Sequence, residues 1–353
     1  MSTKKIIRSM LYGASALAFT AVSSVAQAEG DLFFYNWVDY TPPELIKQFE
    51  EETGIKVTLD TYDSNETLLA KLKSGATGYD LVVPSQNFVT IMIDEGMLET
   101  IDVSKMSNYG NVDKRWKNPP WDPEQAYSVP WQMGSTSFAV NMAEYDGEGN
   151  SLSEFFKPND QVSGRLQVFR TPDEVIPLAL MLLGLPQCNE SPEDMKKVQA
   201  LLLEQKPHVK TYNSETMPAN LASGEVIMSS QWDGYTMKTR LDNSNMDKLK
   251  YVHPKEGIIG WFDSLVIPKG APNKANAEKF MNFMMDAKNG AEISNFNRYA
   301  SPLDPAVVGD NLDPALATAP EINIDPAVPV HFSETCSPKS IKLYDRVWTK
   351  LLQ

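Results

Sequence analysis

Short apolar runs alternate with amphipathic segments along residues 30–95, and this alternation predicts the order of the elements. The apolar runs have the β-branched and aromatic composition of strands, and they cover 32–36, 55–59 and 79–85. The other segments space their apolar residues as helices do, and they cover 41–54, 66–73 and 88–95. This β-α-β-α-β order predicts a mainly parallel sheet with helices on its faces.

The rest of the chain repeats this pattern less clearly. Strands are predicted at 126–130, 135–141, 166–169, 225–230 and 248–253. Helices are predicted at 173–183, 192–204, 234–241, 275–285 and 340–352. Residues 301–329 are rich in proline and lack periodicity, which is typical of a long segment that wraps the surface.

One predicted strand, residues 257–268, places an acid within an apolar run. Side chains two positions apart share a face of a strand, so Trp261 and Asp263 project together. A carboxylate in apolar surroundings costs free energy unless it has a partner. Two interpretations stay open: Asp263 accepts backbone hydrogen bonds, or it binds a cation together with the ring face of Trp261.

Tryptophan lies next to aspartate at other places in the chain. Trp37 precedes Asp39 by two positions at the end of a predicted strand, and the pair at 232–233 follows another strand. The pair at 121–122 lies among prolines and is expected in a loop. Tryptophan is mostly a packing residue, but open α/β sheets place ligands at strand ends. The repetition therefore favours a ligand site.

The first 28 residues have the pattern of a secretory signal peptide. A basic start is followed by an apolar run that ends in Ala26-Gln27-Ala28, an A-x-A cleavage site. A transmembrane anchor is the alternative, but serines interrupt the run, and no cysteine for a lipid anchor lies at the cleavage site. We therefore expect an exported protein that is cleaved after Ala28 and resides in the periplasm.

The length and charge of the expected mature chain narrow its class. Removal of 28 of the 353 residues leaves 325, which suits two domains of ordinary size. The removed segment carries three basic residues and no acid, so the formal net charge changes from -14 to -17. Such a chain is expected to attract cations and to repel nucleic acid and anionic membrane surfaces.

The residues that enzymes and metal sites use are sparse. The three histidines, at 208, 253 and 331, match no metal-ligand spacing, and no nucleophile or phosphate-binding motif occurs. Glycoside hydrolysis needs only two carboxylates and no motif, so that alternative stays open. Cys188 and Cys336 either form one disulfide in an oxidising compartment or stay as two buried thiols.

Six motifs in combination resemble the spermidine/putrescine-binding proteins of bacterial ABC importers, over essentially the whole mature chain. They are NWVDY at 36–40, TGIKV at 53–57, SNET at 64–67, YDLVVPS at 79–85, GML at 96–98 and WFDSL at 261–265. The resemblance implies an α/β protein with a type II periplasmic binding fold, in which crossing strands join two lobes around the ligand. It implies no enzyme activity and no cofactor.

The resemblance also implies discontinuous lobes, because the chain crosses between them near Gly134, near Trp261 and near residue 308. The N-terminal lobe is expected to comprise 29–134 and 262–307, and the C-terminal lobe 135–261 and 308–353. The implied partners are a polyamine and either an ABC permease of the inner membrane or a membrane signalling receptor. The protein is expected to act as a monomer.

The family's ligand-contacting residues can be placed on this sequence one by one. The resemblance assigns the aromatic contacts to Trp37, Tyr40, Trp232, Trp261 and Tyr299. It assigns the carboxylates to Asp39, Glu174 and Asp263, and polar contacts to Ser85 and Glu334. Packing alone is the alternative role for Tyr40 and Tyr299. This sequence differs from the family at three positions. Thr171 stands where the family has an aspartate, Glu334 where it has a glutamine and Asn87 where it has an aromatic residue. These differences leave the preferred polyamine open.

Elementary chemistry agrees with a polyamine, since ring faces attract cations and carboxylates accept ammonium protons. Other ligands remain alternatives. Agmatine is another cation, and a sugar or a carboxylate could occupy the same fold. A carboxylate ligand would need arginines, of which the chain offers Arg170, Arg240 and Arg298. Iron(III) binding through paired tyrosines is disfavoured because no adjacent Tyr-Tyr occurs.

Overall fold

The computed structural model describes residues 30–75 and 78–353. The expected signal peptide, residues 1–28, lies outside the described residues. The strands are β1 Asp31–Trp37, β2 Lys56–Tyr62, β3 Leu81–Val82, β4 Ser128–Asn141, β5 Leu166–Val168, β6 Val209–Tyr212, β7 Met228–Trp232, β8 Leu249–Val252, β9 Ile258–Val266 and β10 Val330–Phe332. The α-helices are α1 Pro43–Thr53, α2 Asn65–Lys73, α3 Gln86–Asp94, α4 Leu152–Phe156, α5 Pro172–Leu182, α6 Pro192–Gln205, α7 Met217–Ala222, α8 Asp233–Asp242, α9 Lys274–Met284, α10 Ala287–Asn297, α11 Pro305–Val308, α12 Pro314–Thr318 and α13 Pro338–Leu352.

The first strands form the parallel sheet that the hydrophobic pattern predicts. β1 lies between β2 and β3 and runs parallel to both. Between β1 and β2, α1 begins with Pro43, whose missing N–H suits a first helical turn. It ends at Gly54, whose φ of 74° is readily accessible only to residues such as glycine. Pro43 and Gly54 therefore mark the start and the end of α1.

Two long antiparallel strands connect the halves of the molecule. The strand order is β2-β1-β3-β9-β4-β7-β5-β6, with β10 added to β9 and β8 to β4. β4 and β9 pair from Ser128 opposite Val266 to Thr136 opposite Ile259. Gly134 lies opposite Trp261, and a Cβ atom there would approach the indole ring to 2.5 Å. A glycine is therefore required where the tryptophan crosses β4.

The buried apolar residues form a separate core on each side of these crossing strands. One core contains Phe34 and Phe280, together with Leu265 of β9. The other contains Phe138 of β4, and Trp348 of α13 packs into it. Two α/β lobes joined by β4 and β9 are the architecture that the resemblance implied, and the predicted fold class is confirmed.

Several predicted boundaries are wrong in detail. The strands predicted at 126–130 and 135–141 are one continuous strand, β4, in which a register shift between Pro130 and Gln132 accommodates the proline. The short strands β6 and β10 and the helix α10 were not predicted. The wrapping segment 301–329 contains the short helices α11 and α12.

The two cysteines form a disulfide, which decides between the two alternatives. Cys188 and Cys336 are bonded, with Cα atoms 4.9 Å apart across 148 positions of sequence. The bond ties the segment after β10 to the loop that follows α5. Among the helices of the two described ranges, none has the length and apolar character required to cross a membrane.

Candidate ligand-binding site

A cavity of about 260 Å³ lies between the lobes, at the ends of β1 and β7 and beside β9. Aromatic rings and carboxyl groups dominate its lining. The acidic residues that line it are Asp63, Glu66, Asp173, Glu174, Asp263, Glu334 and Asp345. No lysine, arginine or histidine of the described ranges lines it. The cavity is therefore suited to a positively charged ligand.

Asp263 projects from β9 into a network of hydrogen bonds. Tyr40 Oη donates to Asp263 Oδ2 at 2.9 Å, and Ser85 Oγ donates to Oδ1 at 2.6 Å. Asn65 Nδ2 donates in turn to Ser85 Oγ at 3.0 Å. Only 4% of Asp263 is exposed. Burial raises the pKa of its carboxyl group to about 7, against the lowering effect of the bonds from Ser85 and Tyr40.

The network orients Asp263 but supplies no countercharge. Both donors are neutral hydroxyl groups, and no lysine or arginine in the part of the chain that the structure describes forms an ion pair with it. A buried carboxylate without a cation is unfavourable. Two interpretations were left open for Asp263: it accepts backbone hydrogen bonds, or it binds a cation. The hydrogen bonds from Tyr40 and Ser85 come from side chains, so this environment supports the cation site.

Aromatic rings form the walls around this carboxyl group. Trp261 and Tyr40 each contact Tyr299 edge to face, with ring centroids 5.0 and 5.5 Å apart. Trp37 donates its indole N–H to the Val83 carbonyl at 2.9 Å, which fixes the ring at the cavity edge. Tyr40 and Tyr299 line the cavity as well as packing, so the two roles proposed for them are not exclusive.

A second group of acids lies at another part of the lining. Glu174, in the first turn of α5, accepts a 3.3 Å hydrogen bond from Trp232 Nε1. Burial, with the negative charge of Asp173 next, raises the pKa of Glu174 to about 8. Burial also raises the pKa of Asp173. Glu66 reaches the same place from α2 and interacts with Asp173.

The structure brings most of the sequence-predicted site residues to one cavity. Those that line it are Trp37, Tyr40, Ser85, Glu174, Trp232, Trp261, Asp263, Tyr299 and Glu334. Asp39 does not line it. Asp39 adopts a φ of 52° in the turn after β1 and lines a neighbouring cavity, which shares Val38, Asp63 and Tyr235 with the first. The predicted role of Asp39 as a ligand contact therefore stays a prediction.

Other positions singled out in the sequence have different settings. Asp233 accepts hydrogen bonds from the backbone N–H and the hydroxyl group of Ser135, both at 2.9 Å, and does not line the cavity. Thr171 occupies the N-cap position of α5 without a side-chain capping hydrogen bond and lies outside the lining, whereas Asn87 lies in it. Asp173, two positions after Thr171, supplies an acid to the lining.

Sequence reasoning missed Glu66 and Asp173 as cavity residues. Glu66 lies in the SNET motif, and Asp173 adjoins Glu174, so both were close to recognised positions. No signal in the sequence indicates that α2 and α5 face each other across the cleft. No set of three or more His, Cys, Asp or Glu side chains in the two described ranges is arranged to hold a metal ion.

The chain belongs to the bacterial extracellular solute-binding proteins, whose family profile matches residues 44–323. It is 38% identical over 310 residues to the spermidine/putrescine-binding periplasmic protein of Escherichia coli (strain K12), a match that covers 85% of this chain and 87% of the relative. It is 32% identical to the putrescine-binding periplasmic protein SpuD of Pseudomonas aeruginosa (strain UCBPP-PA14), covering 96% of this chain and 98% of the relative.

Solved structures agree with this assignment. A putative spermidine/putrescine ABC transporter from Listeria monocytogenes superposes with a TM-score of 0.83 at 27% identity. The match covers 92% of this chain and 99% of that one. The fold of two lobes around a cleft is therefore shared with substrate-binding proteins of ABC transporters.

Proposed function

We propose that the protein binds a linear polyamine of the putrescine/spermidine class in the cleft between its lobes. One observation carries the proposal: the cavity is lined by seven carboxyl groups and several aromatic rings, and by no basic residue of the described ranges. A polyamine is a hydrocarbon chain with ammonium groups, so it requires both kinds of partner. The names of the relatives support the same ligand class.

Different residues recognise different parts of the ligand. The rings of Trp37, Trp232 and Trp261 cover the methylene groups and attract the cations, each contact contributing on the order of 0.5–2 kcal/mol. Asp263 and Glu174 accept ammonium protons in charge-assisted hydrogen bonds, which are roughly twice as strong as neutral ones. Ser85 and Tyr40 hold Asp263 in place. The distance between the two carboxyl groups then determines which polyamine fits, because it must match the distance between the ammonium groups of the ligand.

The biological setting of this binding is part of the proposal. The chain is exported, cleaved after Ala28, and works in the periplasm as a monomer that delivers its ligand to an ABC permease. The N-terminal lobe comprises 29–134 and 262–307, and the C-terminal lobe 135–261 and 308–353. The protein carries out no catalysis. Relatives named for periplasmic polyamine binding and a neighbour named as an ABC transporter support this setting.

Agmatine is a second candidate ligand. A relative from Pseudomonas aeruginosa that is 29% identical over 99% of this chain is named a putrescine/agmatine-binding protein. Agmatine also carries a terminal ammonium group, so the same carboxyl groups would accept it. Delivery to a membrane signalling receptor instead of a permease is the alternative role.

A thermal-shift screen tests the proposal. The mature protein is melted with putrescine, spermidine, agmatine, amino acids, sugars and iron(III). A ligand present at 100 times its dissociation constant adds about 2.7 kcal/mol of stability. We expect stabilisation by the polyamines and none by the sugars, the acidic amino acids or iron. If no polyamine raises the melting temperature, or if a sugar or an acid does so alone, the proposal is wrong.

A further inference from the structure

Gln86, the first residue of α3, is buried next to the cavity but does not line it. Its side-chain amide bonds the backbone of two distant parts of the chain. Nε2 donates to the Ser333 carbonyl at 3.1 Å, and Oε1 accepts a 2.8 Å hydrogen bond from the Phe262 N–H. Because one partner is a carbonyl group and the other an N–H group, they fix the orientation of the amide.

Each of these backbone partners immediately precedes an acid that lines the cavity. Phe262 is followed by Asp263 on β9, and Ser333 is followed by Glu334. Both acids line the cavity, whereas Gln86 does not. The amide therefore links the backbone beside one carboxyl group to the backbone beside the other, without itself touching a ligand.

The Gln86 bond meets the segment 333–336 at the point where this segment leaves the sheet. The Ser333 N–H still donates to the Gly260 carbonyl of β9 at 3.0 Å. At the other end, the disulfide holds Cys336. All four residues of the segment line the cavity. Its position relative to the first turn of α3 therefore affects the shape of the site.

The residues on either side of Gln86 connect the same two regions. Ser85 Oγ donates to Asp263 Oδ1 at 2.6 Å, so the start of α3 holds both this carboxyl group and the strand that carries it. The Asn87 carbonyl accepts a 3.1 Å hydrogen bond from Thr335 Oγ1. The start of α3 thus contacts β9 on one side and the segment 333–336 on the other.

We propose that Gln86 is a positioning residue of the ligand site, because its amide fixes Glu334 relative to Asp263. This inference rests on the proposed function and extends it to a residue outside the predicted ligand-binding set. The amines of a linear ligand lie at distances set by its methylene groups, and hydrogen bonds weaken steeply when their geometry is poor. Loss of the amide should therefore weaken binding and change the preference between polyamines of different length.

Calorimetric titration of the mature protein with putrescine and with spermidine tests the proposal. The test variant is Gln86→Met, which keeps most of the side-chain volume and deletes both hydrogen bonds. We expect the dissociation constant of the amine that the parent binds more tightly to rise about tenfold. The ratio of the two dissociation constants should change by about threefold or more, because the two amines place their ammonium groups differently.

The matched control is Gln167→Met, which removes a comparable buried amide away from the cleft. Gln167 is fully buried on β5, its Nε2 donates to the Asn213 carbonyl at 2.8 Å, and its Oε1 accepts from Asn220 Nδ2 at 2.9 Å. It lines neither cavity. This variant should melt at a lower temperature than the parent but keep both dissociation constants within about twofold.

A double-mutant cycle with Glu334→Ala distinguishes positioning from a merely structural role. If Gln86 acts through Glu334, Gln86→Met should change the dissociation constant by about twofold or less once Glu334 is replaced, against about tenfold in the parent. A general loosening of the fold would give the same factor in both backgrounds. Glu334 is exposed and its truncation should leave the melting temperature of the ligand-free protein unchanged.

The outcomes separate this inference from the proposed function. If Gln86→Met binds both amines as the parent does, or if its effect is the same with and without Glu334, the inference is wrong and the proposed function stands. If the parent binds neither amine, the proposed function itself fails. If Gln86→Met does not fold, Gln86→Asn decides by the same criteria, because its side chain is one methylene group too short to reach both partners.

Discussion

The hydroxyl group of Tyr40 donates a 2.9 Å hydrogen bond to Oδ2 of Asp263, although the two residues lie 223 positions apart in the chain. Ser85 donates to the other oxygen of the same carboxyl group. These neutral donors fix the orientation of the carboxylate and leave its charge uncompensated. Under the proposed function, a ligand cation supplies the counter-ion that this network lacks.

The substitution Asp263→Asn should abolish tight polyamine binding while sparing the fold. The asparagine keeps the shape of the side chain but deletes the charge that faces an ammonium group. Removing one partner of a buried charge pair costs about 2–5 kcal/mol of binding, or roughly 30-fold to several thousand-fold in affinity. Without ligand, the variant should melt at or above the parent's temperature at pH 8, where the parent carboxylate is ionised. Calorimetry and melting curves measure both effects, with Asp160→Asn as control because Asp160 is exposed and lines neither cavity.

The substitution Trp261→Ala should instead weaken binding and the fold together. Trp261 is 9% exposed, contacts Tyr299 and lies against Gly134 at the crossing of β4 and β9. Truncation of a buried tryptophan to alanine costs about 3–5 kcal/mol of stability. Chemical denaturation of the ligand-free protein gives this value. A variant that loses affinity but unfolds like the parent would show that the ring does not support the crossing.

The ligand-free protein should lose stability as the pH rises toward 8. The pKa values of Asp263 and Glu174 are raised to about 7 and about 8 from 3.8 and 4.5, so the folded chain holds protons that the unfolded chain has released. Their contribution is complete below about pH 4 and is lost as the pH rises through 7 and 8. An ammonium ligand favours the ionised groups, so its stabilising effect should be larger at pH 8 than at pH 5.5. Melting curves with and without putrescine at both pH values test this, and equal ligand effects would contradict it.

Replacement of both Cys188 and Cys336 by serine should destabilise the protein and weaken ligand binding. The disulfide closes a separation of 148 residues and anchors the segment in which Glu334 lines the cavity. Loss of a native disulfide typically costs about 2–5 kcal/mol. The denaturation midpoint of the serine variant should match that of the reduced parent. If oxidised parent, reduced parent and variant unfold alike, the bond does not stabilise this segment.

The alternation of residues along β9 was enough to predict how Trp261 and Asp263 are placed. Both line the cavity, while Phe262 between them points away and packs on Trp116. This prediction needed only the rule that successive side chains of a strand point to opposite faces. The prediction at β4 was wrong, because two strands were expected at 126–130 and 135–141 where one continuous strand lies. A local register shift absorbs Pro130 there, and such a shift leaves no mark in the hydrophobic pattern.

The meeting of Glu66 with Asp173 could not be predicted from the sequence. Each lies in the first turn of a helix, where an acid is commonly explained by the helix dipole alone. Their proximity depends on how the two lobes face each other, which is a property of tertiary structure. For the same reason the sequence did not show that Asp39, whose neighbours Trp37 and Tyr40 line the cavity, lines the adjoining one.

The central claim is that the cleft recognises a linear chain through its positive charges. Titration of the mature protein with putrescine and with 1,4-butanediol tests it most directly, because the diol keeps the chain and replaces each ammonium group by a neutral hydroxyl group. We expect one putrescine to bind per chain and the diol to give no measurable heat of binding. Equal binding of the two compounds, or no binding of putrescine or spermidine, would contradict the account.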